Sequence, residues 1–233
     1  MKALRVTGNV FILIGATFLF FVVYELIGTS AITAGHQRAL AADFEEPADD
    51  PVVVEPSPEP TQTQAPEPTP PPRPPKVGAA VARLRIPSID VDMIVVEGTS
   101  LDELAKGPGH YRGSALPGQR GSVGIAGHRT GWGSPFIDLD RLGRGDRVII
   151  EMKDDQRFVY EVTNTRVVEP GDVWVLNGDP RSESEYLLTL TTCTPKYTSR
   201  DRLIVWADQV SPDPTPEIVV PHREPSPQIP EAA

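Results

Sequence analysis

Hydrophobicity along the chain falls into three patterns: one unbroken apolar run, a middle stretch of short alternating runs, and two stretches without apolar periodicity. The unbroken run covers residues 6–24, which contain no charged side chain, and residues 10–24 are almost wholly apolar. At a rise of about 1.5 Å per residue, these 19 residues match the hydrocarbon thickness of a bilayer. The pattern predicts a transmembrane helix. Lys2 and Arg5 precede it and Glu25 follows with a mostly neutral stretch, so the positive-inside bias puts the N-terminus in the cytoplasm and the rest outside. A cleaved signal peptide is the rival reading, with Ala39-Leu40-Ala41 as the small-x-small site. It fits less well, because the run is longer than an ordinary h-region and that site lies far beyond its end. A helix buried in a soluble core is disfavoured, since the run is apolar on every side.

In the middle stretch the period changes to that of strands. Residues 82–86, 91–96, 122–126, 147–152, 157–162, 186–191 and 202–207 are short runs rich in β-branched side chains, bounded by Gly, Pro, Asp or Ser. Residues 153–156, Lys-Asp-Asp-Gln, form a hairpin signal between two of them. Residues 101–105 and 138–142 predict short helical turns, and no long helix is expected after the apolar run. Many short strands joined by Gly/Pro turns predict an all-β barrel or sandwich.

Proline sets the boundaries. Residues 43–76 hold 12 prolines in 34 positions and residues 211–233 hold 7 in 23, with few apolar side chains to bury. The expected organisation is an anchor with its flanks (1–42), a disordered Pro/acid-rich linker (43–76), one folded domain (77–210) and a disordered tail (211–233). An extended proline-rich linker at about 3.1 Å per residue would hold the domain up to about 100 Å from a membrane. The net charge of −10 is concentrated outside the domain, whose 16 basic and 19 acidic side chains nearly balance. No basic face for nucleic acid is expected.

Cys193 is the only cysteine, in an exported domain where disulfides would be favoured. A lone thiol is more often an inert buried hydrophobe. However, Cys193 ends the run Thr189-Leu190-Thr191-Thr192-Cys193, which places its sulfur at a strand end facing a cleft. Arg202 opens the next run nine residues later, and two antiparallel strands joined by such a loop bring the two together. A nearby guanidinium favours a thiolate or stabilises an oxyanion. His128 also follows a strand, in Ile125-Ala126-Gly127-His128-Arg129-Thr130, and His110 lies in a turn-like Gly107-Pro108-Gly109-His110-Tyr111 segment. Either histidine has a structural reading beside the functional one. Cysteine, histidine and arginine at strand ends suit thiol acyl transfer. A metal site is disfavoured for want of ligand spacing, and no cofactor is called for.

Thr189-Leu190-Thr191-Thr192-Cys193 followed by Arg202, with Ala126-Gly127-His128 upstream, resembles the sortase family over roughly residues 80–208. The resemblance implies an eight-stranded sortase β-barrel, Cys193 as nucleophile, His128 as general acid/base and Arg202 as the oxyanion-stabilising group. It also implies partners: secreted proteins with a C-terminal sorting signal of the LPxTG type, cleaved between threonine and glycine, and an amine acceptor such as a cell-wall precursor. The segments around His110 and His128 are most similar to class E sortases of high-GC Gram-positive bacteria, in which LAxTG is preferred and Tyr111 matches a tyrosine tied to that preference. Thr194 departs from the histidine found there in many relatives. No Asp-Pro-aromatic lid motif and no C-terminal apolar run are seen, which favours a housekeeping-type enzyme over a pilin polymerase. Thr192, Tyr111, His110, Trp174 and Leu176 are the candidate substrate-binding residues, the last two on the polar loop 169–185, where filling the core is their alternative role. The competing functions are a thiol hydrolase without transfer and a non-catalytic wall-facing module.

Overall fold

The computed structural model describes residues 2–24, 28–45 and 74–212, with side chains from Arg5 to Ser211 within them. The linker from 46 to 73 and the tail from 213 to 233 lie outside the described residues. Eight strands close into one barrel in the order β1-β2-β3-β4-β7-β8-β6-β5. These are β1 (Ala80–Ile86), β2 (Val91–Glu97), β3 (Gly109–His110), β4 (Gly121–Ala126), β5 (Arg147–Met152), β6 (Arg157–Val168), β7 (Tyr186–Thr194) and β8 (Asp201–Pro212). Most neighbours are antiparallel, but β2 and β3 run parallel, as do β4 and β7.

The alternating pattern explains which side of each strand is buried. On β4, β7 and β8 the inward positions are Val123, Ile125, Leu188, Leu190, Leu203, Val205 and Ala207, which join Leu84, Ile86, Val148 and Ile150 in one core. Each such aliphatic side chain contributes about 1.5–3 kcal/mol relative to leaving it in water. The expected strands all occur, and β6, β7 and β8 extend beyond their apolar runs to Val168, Thr194 and Pro212. The turns expected at 101–105 and 138–142 are the short helix α3 (Leu101–Leu104) and a 3₁₀ turn at Leu139–Arg141.

Helix α1 (Lys2–Val23) contains one run, Arg5–Val23, long and apolar enough to cross a membrane, and none of it is buried against the rest of the chain. One expectation is corrected here. A second long helix, α2 (Thr29–Glu45, 17 residues), follows α1, and its last turn occupies residues 43–45 at the start of the stretch read as linker. It packs along β1 and β2. Its most buried contacts are polar: Thr29 and Thr33 are buried, and the Gln37 carboxamide bonds Ile94 and Lys106. Its larger apolar side chains contribute only in the C-terminal half, where Leu40 and Phe44 are half-buried.

Candidate active site

Three strands build the site. Opposite the core-facing positions, the outer face of β7 carries Thr189, Thr191 and Cys193, and that of β8 carries Trp206, Ile204 and Arg202, paired in register. The 3₁₀ turn Val173–Asn177 covers the first two of these pairs. Val175 packs on Ile204 and Trp206, and the Trp206 indole N–H donates to Val175 O at 2.9 Å. The cover does not extend to the end of the ladder, so the Cys193–Arg202 pair borders an open groove of about 740 Å³.

His128 reaches the same groove from β4. Ala126 is in register with Thr191 on the parallel neighbour β7, and the Gly127 N–H donates to Thr191 O at 3.1 Å. Thr192 is buried, and its hydroxyl donates to Gly127 O at 2.8 Å. That bond directs the Thr192 proton away from the groove and fixes the peptide preceding His128 to the peptide preceding Cys193. Gly127 is required by close approach, because a Cβ there would lie 2.6 Å from the Phe136 ring.

The electrostatics differ from residue to residue. His128 is half-buried, and its Nε2 has no hydrogen-bond partner among the described residues. Burial disfavours its charged form and lowers its pKa below 6.5, so the resting ring is neutral at pH 7. Cys193 is half-buried, a free thiol on the groove wall. Arg202 donates from Nη1 to Ser199 O at 3.0 Å and Asp201 O at 3.2 Å. Among the described residues it has no carboxylate partner, which leaves its charge available to a substrate.

The other expected residues are distributed unevenly. Tyr111 lines the groove, its hydroxyl 2.9 Å from Thr191 Oγ1. His110 does not line it. It is buried, with Nδ1 2.7 Å from Glu97 Oε2 and Nε2 3.0 Å from Ala115 O. Ser114 Oγ is 2.9 Å from Nε2, but its proton goes to Tyr111 O at 2.7 Å, so this serine is not poised as a nucleophile. Trp174 and Leu176 pack against the Ile204–Trp206 cluster and are not groove residues. The Trp174 and Trp206 ring centroids are 5.9 Å apart, and the Arg166 guanidinium sits 5.4 Å above Trp174.

Groove residues that escape sequence reasoning include Leu101, Leu104, Arg129 and Tyr197. Leu101 and Tyr197 are 78% and 75% exposed, so neither belongs to a periodic apolar pattern that would single it out. Arg129 is 3% exposed, donates from Nε to Ile137 O at 2.8 Å, and pairs through Nη2 with Asp140 at 2.8 Å. Its Nη1 is buried without a partner among the described residues. An arginine buried beside a catalytic-type histidine is a signal already present in Gly127-His128-Arg129.

A small closed barrel with a thiol, an imidazole and an unpaired guanidinium around one external groove is the architecture of a cysteine acyl-transferase. Residues 84–210 match the sortase domain, and the chain belongs to the sortase family, whose members are cysteine transpeptidases. It is 33% identical over 228 residues to Sortase SrtE1 of Streptomyces coelicolor, across 91% of this chain and 58% of that protein. It is 30% identical over 224 residues to Sortase SrtE2 of the same organism, across 90% and 83%. The chain thus spans under two thirds of the length of SrtE1. It also resembles the crystal structure of S. coelicolor Sortase E1 with a tripeptide in the active site, at TM-score 0.54 and 36% identity over 57% of this chain and 90% of that one.

Proposed function

We propose that this protein is a membrane-anchored cysteine transpeptidase that cleaves LAxTG- or LPxTG-type sorting signals after threonine and passes the acyl group to an amine. The observation that carries the proposal is the shared groove: Cys193, His128 and Arg202 line one cavity although the chain separates them by up to 74 positions. Neutral His128 takes the Cys193 proton as the sulfur attacks the threonine carbonyl. Arg202 faces the oxyanion that forms, with charge not neutralised by a described carboxylate. The resulting imidazolium gives its proton to the departing glycine amine, leaving a thioester. An incoming amine then attacks the thioester, His128 accepts its proton, and the thiol is restored. The tripeptide of the S. coelicolor Sortase E1 structure supports a peptide lying in this groove. Leu101, Leu104, Tyr111 and Tyr197 supply its apolar wall. The Arg5–Val23 run supports an anchor with the barrel on the outer side of the membrane, where secreted substrates and wall-precursor amines occur.

The test is mass-spectrometric trapping of an acyl-enzyme on Cys193 with LAxTG and LPxTG peptides, with and without a glycine amine. A thioester adduct that resolves to an amine-linked product supports transfer. An adduct that resolves only to the free acid at saturating amine makes the protein a hydrolase. A wild-type chain that never acquires the adduct is not a transpeptidase of these signals.

A further inference from the structure

The position of the barrel relative to the membrane follows from α2 rather than from the proline-rich stretch. We propose that α2 clamps the barrel onto the outer bilayer surface and turns the Trp132 side of the groove toward the lipid headgroups; this rests on the anchor reading of α1. The apolar run of α1 ends at Val23, and Thr29 is already buried against the barrel at 1% exposure. Six residues of chain reach at most about 22 Å even when fully extended. The barrel surface at Thr29 is therefore held within about that distance of the membrane segment for as long as α2 stays docked, far short of a linker's reach.

The docking interface is specific. Strand β2 pairs with β1 along its length, but its other edge meets the two-residue β3 only at Val96 and Glu97. The edge left open at Ile94 is completed by one side chain. The Gln37 carboxamide accepts the Ile94 N–H at 2.7 Å and donates to Ile94 O at 3.0 Å, as a neighbouring strand would. It also donates to Lys106 O at 2.8 Å. Thr33 Oγ1 donates to Ala105 O at 2.8 Å, and Lys153 Nζ donates to Asp43 O at 2.8 Å near the far end of the helix. The barrel accommodates α2 with glycines: a Cβ on Gly107 would collide with the Gln37 carboxamide, and one on Gly133 would lie 3.1 Å from Thr33. An unpaired sheet edge is normally covered or paired, and here α2 does both.

The near end of the clamp identifies the face that meets lipid. Thr29 Oγ1 accepts the backbone N–H of Trp132 at 3.2 Å, and Trp132 is four residues beyond His128. Its indole is half-buried rather than enclosed in the core. Tryptophan at the level of the headgroups is the usual mark of a membrane-facing surface. The chain is fixed to the barrel on both sides of the stretch 46–73, by Asp43 O accepting from Lys153 before it and by the Gly78 N–H donating to Glu97 O after it, so that stretch does not set the height of the domain. The His128 side of the groove is the side nearest the bilayer, and the scissile peptide is received close to it.

The experiment uses the full chain in lipid vesicles carrying a headgroup-depth nitroxide lipid, read by tryptophan fluorescence. Wild type should lose the emission of one of its three tryptophans. Trp132→Phe should lack that quenchable share, and so should the Thr33→Val/Gln37→Ala double variant, in which the clamp is released. Retained turnover of a soluble peptide shows that the double variant still folds. Flotation with the vesicles reports the anchor on its own. A chain that stays behind in solution overturns the anchor and the clamp together. Flotation with equal quenching in wild type and Trp132→Phe overturns the clamp and leaves the anchor standing.

Discussion

Two histidines eighteen positions apart meet opposite fates in this barrel. His110 is 2% exposed with both ring nitrogens facing acceptor oxygens, one on Glu97 and one on Ala115. His128 is half-buried on a groove wall, with Nε2 unpaired among the described residues and its charged form disfavoured by burial. The first environment satisfies every polar atom of the ring and removes it from chemistry. The second leaves a nitrogen desolvated but unoccupied, which is what a proton-transfer group requires. Both rings follow a glycine near the end of a short strand, so the difference lies in their surroundings and not in the local sequence.

The contrast predicts a division between activity and stability. The largest expected effect is chemical: Cys193→Ala should form no acyl-enzyme, and His128→Gln should lower kcat/KM by about two to four orders of magnitude. Arg202→Ala should cost about two to three orders. None of the three should shift thermal unfolding by more than a few degrees, as differential scanning fluorimetry would show. A His128→Gln enzyme with near-normal peptide turnover would erase the distinction between the two rings.

His110→Gln should do the reverse. Leaving the buried Glu97 carboxyl without the imidazole it bonds costs about 1–3 kcal/mol, measurable as a lower urea midpoint, with turnover per folded molecule retained. The double variant His110→Gln/Glu97→Gln should recover part of that loss.

A smaller effect concerns pH. Because burial lowers the pKa of His128, the unfolded chain binds a proton near pH 6.5 that the folded chain does not. Stability contributed by this site is complete above that pH. It falls as the medium is acidified through about 6.5, until the folded ring protonates as well. Urea midpoints should drop between pH 7.5 and 5.5, and drop less in His128→Gln. The acid limb of kcat/KM should lie below 6.5 for the same reason. The smallest expected effect is that of Lys196→Met, which removes a 3.0 Å ion pair to Asp138 beside the groove and should cost under about 1 kcal/mol.

Strands with a clear two-residue period could be read from the chain because one face of each is buried: β1, β2, β4, β5 and the apolar parts of β6, β7 and β8. The catalytic-type trio could be read because strand ends place side chains at rims. Three features could not. Strand β3 is two residues long and depends on parallel pairing with β2, which no local pattern encodes. Helix α2 docks through hydroxyls and a carboxamide at Thr29, Thr33 and Gln37, so hydrophobic periodicity passes over it. A polar i, i+4, i+8 stripe beside alanines was the available signal. The surroundings of Trp174 and Leu176 depend on how loop 169–185 folds over Trp206, a long-range choice.

The antiparallel register that sets Cys193 opposite Arg202 has an evolutionary corollary. The backbone pairing of Cys193 with Arg202 is dictated by the β7–β8 ladder, and not by the six residues, 195–200, that connect the strands. That connector contributes Tyr197, Thr198 and Ser199 to the groove, and its Ser199 carbonyl accepts a hydrogen bond from Arg202 Nη1, so it steadies the guanidinium without setting the strand register. Changes there that keep the Ser199 carbonyl in place can redraw what the enzyme selects while the strand pairing is untouched, so recognition and chemistry are free to diverge at different rates.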